Sequence, residues 1–169
     1  LIPFSTEQPP YSIFVRWIER DLLPTCQKLN MGTLVWSPLN GGWLSGTYRK
    51  GSPKREEGRA ARNPANFDPE KATNQRKLEA VEKLQVIADD AGLTLPHMAV
   101  AWTLRHPGVT SAIIGPRIMS HLTTLIGSDE HVLPDDVLDA IDAVVRPGSS
   151  VLPDESKWEP PALKPQNRR

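Results

Sequence analysis

The stretch Thr33–Tyr48, TLVWSPLNGGWLSGTY, decides how the rest of the chain is read. Thr33, Leu34, Val35 and Trp36 are β-branched, aliphatic or aromatic, the composition of a short buried strand. Ser37-Pro38 then breaks the ladder, because proline has no N–H to give, and Gly41, Gly42 and Gly46 admit backbone angles closed to other residues. A strand halted in this way feeds a loop held close to something. In a parallel α/β protein that place is the carboxyl end of a strand, where ligands bind. An ordinary strand-to-loop turn would share the same spacing.

Upstream, Asp21 is placed to cap a helix over Leu22–Leu29, with Pro24 in the first turn where its missing N–H does no harm. Asn30 and Gly32 end that helix. Before it, Leu1–Gln8 reads as a short strand stopped by Pro9-Pro10, and Tyr11–Trp17 as an aromatic and aliphatic connection. Strand, helix, strand is the unit that builds parallel sheets.

Downstream, Gly46–Thr73 holds no sustained period and carries Arg49, Lys50, Lys54, Arg55, Arg59 and Arg62 among Gly, Pro and Asn. A loop this long inside a compact domain is a functional lid or a disordered segment; a solvated charged loop is the plainer reading. Asn74–Ala91 is the clearest helix, with Leu78, Val81, Leu84, Ile87, Ala88 and Ala91 at three- and four-residue spacing and Gly92 at its end. Thr94 caps a second helix with Pro96 in its first turn, Met98, Ala101, Trp102 and Leu104 facing inward, and His106-Pro107-Gly108 as its stop. Val109–Ile114 predicts an apolar strand covered on both sheet faces. Gly115-Pro116-Arg117 turns into a helix over Met119–Ile126, and Pro134–Val145 is a further amphipathic helix with Leu138, Ile141 and Val145 inward.

A chain of 169 residues, 38% hydrophobic and 24% charged, suits one domain with a real core. We read residues 1–146 as that domain and 147–169 as an irregular tail. Twenty basic and 20 acidic residues cancel, so nothing argues for nucleic acid or an acidic membrane surface. No apolar run approaches the ~20 residues of a membrane span, and no signal peptide is visible. The single Cys26 excludes an intramolecular disulfide and fits a reducing compartment; it has no His or Cys neighbour in its helical stretch and reads as a structural thiol. His97, His106, His121 and His131 lack metal-ligand spacing. Trp17, Trp43, Trp102 and Trp158 are expected to pack rather than bind ligand. The start at Leu-Ile-Pro-Phe, without an initiator methionine, reads as though cut from something longer.

VWSPLNGGWLSGTY resembles the WSPLAGGxLTGKY-type segment of the aldo/keto reductases, NADP(H)-dependent enzymes built on a (β/α)8 barrel. TEQPPYSIFVRWIERDLLPTCQKLNMG is similar to that family's QxxYSLxxRxxExxxLPxCxxLGIG segment, and VAWTLRHPGVTSAIIGPRIMSHLTTLIG to its AWxLxxPxVxxxIxGxRxxxQLxxN segment. The likeness spans nearly the whole chain but only the family pattern from the sixth barrel strand onward. It implies an α/β fold, the C-terminal part of a TIM barrel, with three parallel strands and an incomplete ring. It also implies NADP(H) as cofactor and a small carbonyl substrate, aldehyde or ketone, in the cytoplasm.

Carried over residue by residue, Gln8 falls on the glutamine that holds the nicotinamide carboxamide, and Trp36 on the aromatic that stacks on the nicotinamide ring. Ser37, Pro38, Leu39, Asn40 and Gly41 fall on the turn that wraps the pyrophosphate, and Gly115 and Arg117 on the contacts to the adenosine 2′-phosphate. Arg59, in GRAAR, falls on the arginine of the loop folding over the cofactor, and His121 on the Gln or Arg near the adenosine. Thr47 stands where the family has a basic residue, and Thr124 and Leu125 where a Glu and Asn clasp the adenine. The family's Asp, Tyr, Lys and His tetrad lies on strands two to four, which this chain lacks. The expectation is therefore a cofactor cradle without a catalytic acid. Alternatives are a non-catalytic nucleotide-binding or interaction module and an inactive remnant. The open edges of the first and last strands predict self-association or pairing with a separate N-terminal half.

Overall fold

The computed structural model describes residues 2–53 and 58–152. Its centre is a three-stranded parallel sheet, β1 (Thr6–Glu7), β2 (Gly32–Trp36) and β3 (Ser111–Ile113), in spatial order β1-β2-β3. Thr6 and Glu7 pair with Gly32 and Thr33, and Leu34, Val35 and Trp36 with Ser111, Ala112 and Ile113. The helices are α1 (Leu22–Lys28), α2 (Gly58–Arg62), α3 (Ala72–Asp90), α4 (Leu95–Arg105), α5 (Met119–Leu125) and α6 (Asp135–Val144). The sheet does not close among the described residues.

Side-chain alternation along β2 separates two faces. Thr33 and Val35 are fully buried, while Trp36 is 46% exposed and its partner Ile113 42%. The strand predicted over Val109–Ile114 with both faces covered is thus corrected: the regular strand is Ser111–Ile113, and the face shared by Trp36 and Ile113 is open. Helices cover one side, and no layer among the described residues covers the other. The strand expected over Leu1–Gln8 shrinks to Thr6–Glu7. Pro3 cannot donate to a ladder, and Ile2 and Phe4 are almost wholly exposed, with nothing to pack against.

The covered face meets a core of Ile13, Phe14, Leu23, Val35, Leu84, Met98 and Ile141, all at or near zero exposure. Tyr11–Trp17, expected as a mere connection, supplies much of it, since Tyr11, Ile13, Phe14 and Val15 are buried. Helix α3 buries Leu78, Val81, Leu84 and Ala88 along one stripe. It ends as its sequence implies: the Leu93 N–H reaches Ala88 O and the Gly92 N–H reaches Asp89 O, with Gly92 at φ +68°. The Thr94 hydroxyl accepts from His97 N at the start of α4. That helix is buried nearly all round, and Leu104, expected inward, is only half-buried. Asp21 sits at the N-cap of α1 without a side-chain capping bond. Cys26 is buried.

Part of the long aperiodic loop is ordered by its own packing. Arg49 grips Glu82 of α3 with two bonds of 2.9 and 2.6 Å, and the Lys50 N–H donates to the same carboxylate. The Arg49 bonds, then the Lys50 N–H, push the Glu82 carboxyl down to about 2. A lowered carboxylate contributes stability that is present above its unfolded value and lost as pH falls through the folded one. This contribution therefore fades below pH 4.5 and is gone under about 2, and solvent screening keeps it small. Lys54 and Arg55 of that loop, and Trp158, lie outside the described residues. Trp17, expected to pack, is 40% exposed. Before the described chain ends, Ser149–Val151 is laid along Phe14–Arg16: the Arg16 N–H reaches Ser149 O and the Val151 N–H reaches Phe14 O.

Candidate functional site: a glycine turn with converging cations

At the carboxyl end of β2 the chain turns through residues with positive φ: Ser37 (64°), Asn40 (47°), Gly41 (70°) and Gly42 (114°). For Ser37 and Asn40 that conformation is strained, and the turn's own hydrogen bonds hold it. The Ser37 carbonyl accepts from Asn40 N at 2.8 Å, and its hydroxyl oxygen accepts from Gly41 N at 3.0 Å. The Gly42 N–H reaches Leu39 O. These amides are thus engaged within the turn, so the Ser37 hydroxyl orders the loop first and keeps its own hydrogen for a ligand. Pro38 is buried and Leu39 packs on the core, which makes their contribution one of backbone shape.

Cations approach from three other elements. Arg59 on α2 places Nη1 3.4 Å from where a β-carbon on Gly41 would sit, so a side chain at Gly41 would crowd it. Arg117, after β3, lies against Gly58 with Nη2 2.9 Å from the corresponding point. Helix α2 therefore links the turn after β2 to the turn after β3. Lys77 on α3 comes from the protein interior: it is 7% exposed, and its Nζ donates to Asn40 Oδ1 at 3.2 Å. Lys77 is absent from the sequence-based site. The signal was its position one turn before Val81 and two before Leu84, a lysine on the apolar stripe of α3.

The predicted site residues are thus brought together in part. Trp36, Ser37–Gly41, Arg59 and Arg117 gather at the carboxyl ends of β2 and β3. Gln8 is exposed just past the carboxyl end of β1, two residues before Pro10, which pairs with Trp36. Gly115 is exposed in the turn after β3 and has open space above it. His121 is exposed on α5, and among the described residues no hydrogen bond or ring contact joins its side chain to the turn. The group the cradle would take needs anionic oxygens near arginine and a flat ring beside an exposed aromatic. Arg59, Arg117 and the half-exposed Trp36 fit that requirement.

A second polar constellation joins Tyr11–Glu19 to the end of α6 and the segment after it. Arg16, 4% exposed, bonds Glu19 (2.8 Å), Asp142 (2.7 Å) and Val145 O (2.5 Å), and its guanidinium lies 4.8 Å from the Trp102 ring centre. Tyr11 donates its hydroxyl to Glu19 at 2.7 Å, and the Gly148 N–H donates to the other Glu19 oxygen. Burial acts to lower the Arg16 pKa, but the bonds to Glu19 and Asp142 outweigh it and raise it. Burial, then the Glu19 charge, pushes the Tyr11 phenol far above its ordinary value. Burial lowers His106, whose Nδ1 accepts from Gly108 N. Among the described residues no group of three His, Cys, Asp or Glu could hold a metal ion, and no helix is long and apolar enough to cross a membrane.

Fold and turn define a class. The profile described as the aldo/keto reductase family matches residues 1–146, and the chain belongs to that family. Its relatives include a protein described as a probable voltage-gated potassium channel subunit beta of Arabidopsis thaliana, 33% identical over 143 residues, 83% of this chain and 43% of the relative. Another is described as a putative channel subunit of the same kind from Schizosaccharomyces pombe, 32% identical over 150 residues, again 43% of the relative. A solved glycerol dehydrogenase of Gluconobacter oxydans superposes with a TM-score of 0.65 at 25% identity, over 85% of this chain and 43% of that one. The three parallel strands and their helices correspond to part of that enzyme's barrel. The chain spans less than half the length of these relatives.

Proposed function

We propose that this chain supplies the cofactor-holding part of an NADP(H)-dependent oxidoreductase that reduces an aldehyde or ketone to an alcohol in the cytoplasm. The observation that carries this reading is the convergence of Arg59 on Gly41 and Arg117 on Gly58 beside the exposed Trp36. The bound dinucleotide would supply hydride. Trp36 would carry the nicotinamide face, Gln8 its carboxamide, the Ser37–Gly41 turn with Arg59 the pyrophosphate, and Arg117 with Gly115 the 2′-phosphate. Further strands would pair at the edges of β1 and β3 that are open among the described residues and cover the open face of the sheet.

Titration of the chain with NADPH and NADH, followed by quenching of Trp36 fluorescence, tests the reading. NADPH should bind more tightly by roughly ten- to a hundredfold, the worth of one charge-assisted contact of ~1.5–3 kcal/mol. Arg117→Ala should abolish that preference. Equal affinity for the two cofactors, or a preference that survives the substitution, refutes the role of Arg117.

Alone, the chain should show no NADPH oxidation above background with 4-nitrobenzaldehyde. Tyr11 is no substitute acid, because its phenol is buried, donates to Glu19 and has a raised pKa. Turnover that a substitution in this chain abolishes would show that it holds an acid of its own.

A further inference from the structure

The turn after β2 carries no charge of its own: Ser37 through Tyr48 contains no Lys, Arg, Asp or Glu. Positive charge reaches it from other elements, and Lys77 delivers it from the buried side. Its Nζ is 3.2 Å from Asn40 Oδ1 and 5.4 Å from the centre of the Trp43 ring. Asn40 is the left-handed residue immediately before Gly41, so the bond acts where the backbone conformation is least favourable. Burying an ammonium in the middle of α3 is costly, and a methionine of similar volume would fill the same space without that cost. The bond to Asn40 is one that a methionine could not make.

Resting on the reading of this turn as a dinucleotide cradle, we propose that Lys77 is a positioning residue for the pyrophosphate-binding turn. Its bond to Asn40 Oδ1 fixes the left-handed residue next to Gly41, and with it the shape of the Ser37–Gly41 turn that would face the diphosphate. Arg59 reaches the neighbouring Gly41 of the same turn from α2.

The test compares the wild-type chain, Lys77→Met and Lys77→Arg, each titrated with NADPH, NADH, ADP-ribose and adenosine 2′-monophosphate. Lys77→Met should weaken the three diphosphate ligands alike, by about tenfold. It should leave adenosine 2′-monophosphate unchanged, and Lys77→Arg should recover most of the loss. The thermal midpoint of Lys77→Met should hold or rise, since a buried charge is removed; if that variant is insoluble, Lys77→Gln replaces it. Equal ADP-ribose affinity in wild type and Lys77→Met overturns the role of Lys77 and leaves the cradle standing. A wild-type chain that binds none of the three diphosphate ligands overturns both. A loss shared by adenosine 2′-monophosphate and not rescued by arginine means that Lys77 is only structural.

Discussion

Replacing Arg16 with alanine should lower the unfolding free energy by about 3–5 kcal/mol, the usual result of breaking a buried ion pair from one side. The guanidinium is almost fully buried, so its loss leaves a cavity beneath Trp102 as well as an unneutralised carboxylate on Glu19. Glu19 would keep the Tyr11 hydroxyl and the Gly148 N–H but lose its cation. Asp142 is 39% exposed at its side chain and can turn to water, so most of the cost falls on Glu19. Urea denaturation followed by circular dichroism measures the change. Adding Glu19→Gln to Arg16→Ala should return part of the loss by removing the stranded charge. A change below about 1 kcal/mol for Arg16→Ala would show that the network is not holding Tyr11–Glu19 to the segment after α6.

Trp43→Ala should cost about 3–5 kcal/mol as well, by emptying a large aromatic site in the core. Trp43 is 2% exposed, stacks on Phe67 at 5.4 Å and lies 5.1 Å from Tyr48. Phe67 and Tyr48 also stack on each other at 4.9 Å, so the three rings join the turn after β2 to the chain before α3. Losing the indole should therefore weaken dinucleotide binding along with stability, because Lys77, which holds Asn40, lies over the same ring. Trp17→Ala is the comparison: at 40% exposure it should cost under about 1 kcal/mol. Similar losses at both tryptophans would contradict the burial difference on which this rests.

Local signals carried most of the fold. The α3 stripe, the Gly92 stop, the Thr94 cap and the break at His106 are short-range features, and each falls where its residues predict. The turn at Ser37–Gly41 was legible for the same reason, since proline and paired glycines leave few backbone choices. What the sequence hid depends on contacts between distant elements. Lys77 looks like any helix lysine until α3 is laid under Asn40, 37 residues away. Arg16 and Glu19 look like a surface pair until Asp142 of α6 and Val145 just past it arrive. The open face of the sheet was missed because Val109–Ile114 is a mostly apolar run, and such a run alone does not say whether a second layer covers it.

The Arg16 network also has a consequence in time. Arg16 and Asp142 are 126 residues apart. At ~5–20 residues per second on a ribosome, about 6–25 seconds separate their synthesis. Through that interval Tyr11, Arg16 and Glu19 must wait without the Asp142 carboxylate and Val145 carbonyl that complete their shell, and Phe14 waits without the Val151 N–H. Such distant pairing adds contact order, which slows folding. This segment, made well before α6, is thus locked late, and a nascent chain stalled before α6 would present its aromatic Tyr11–Trp17 stretch to chaperones.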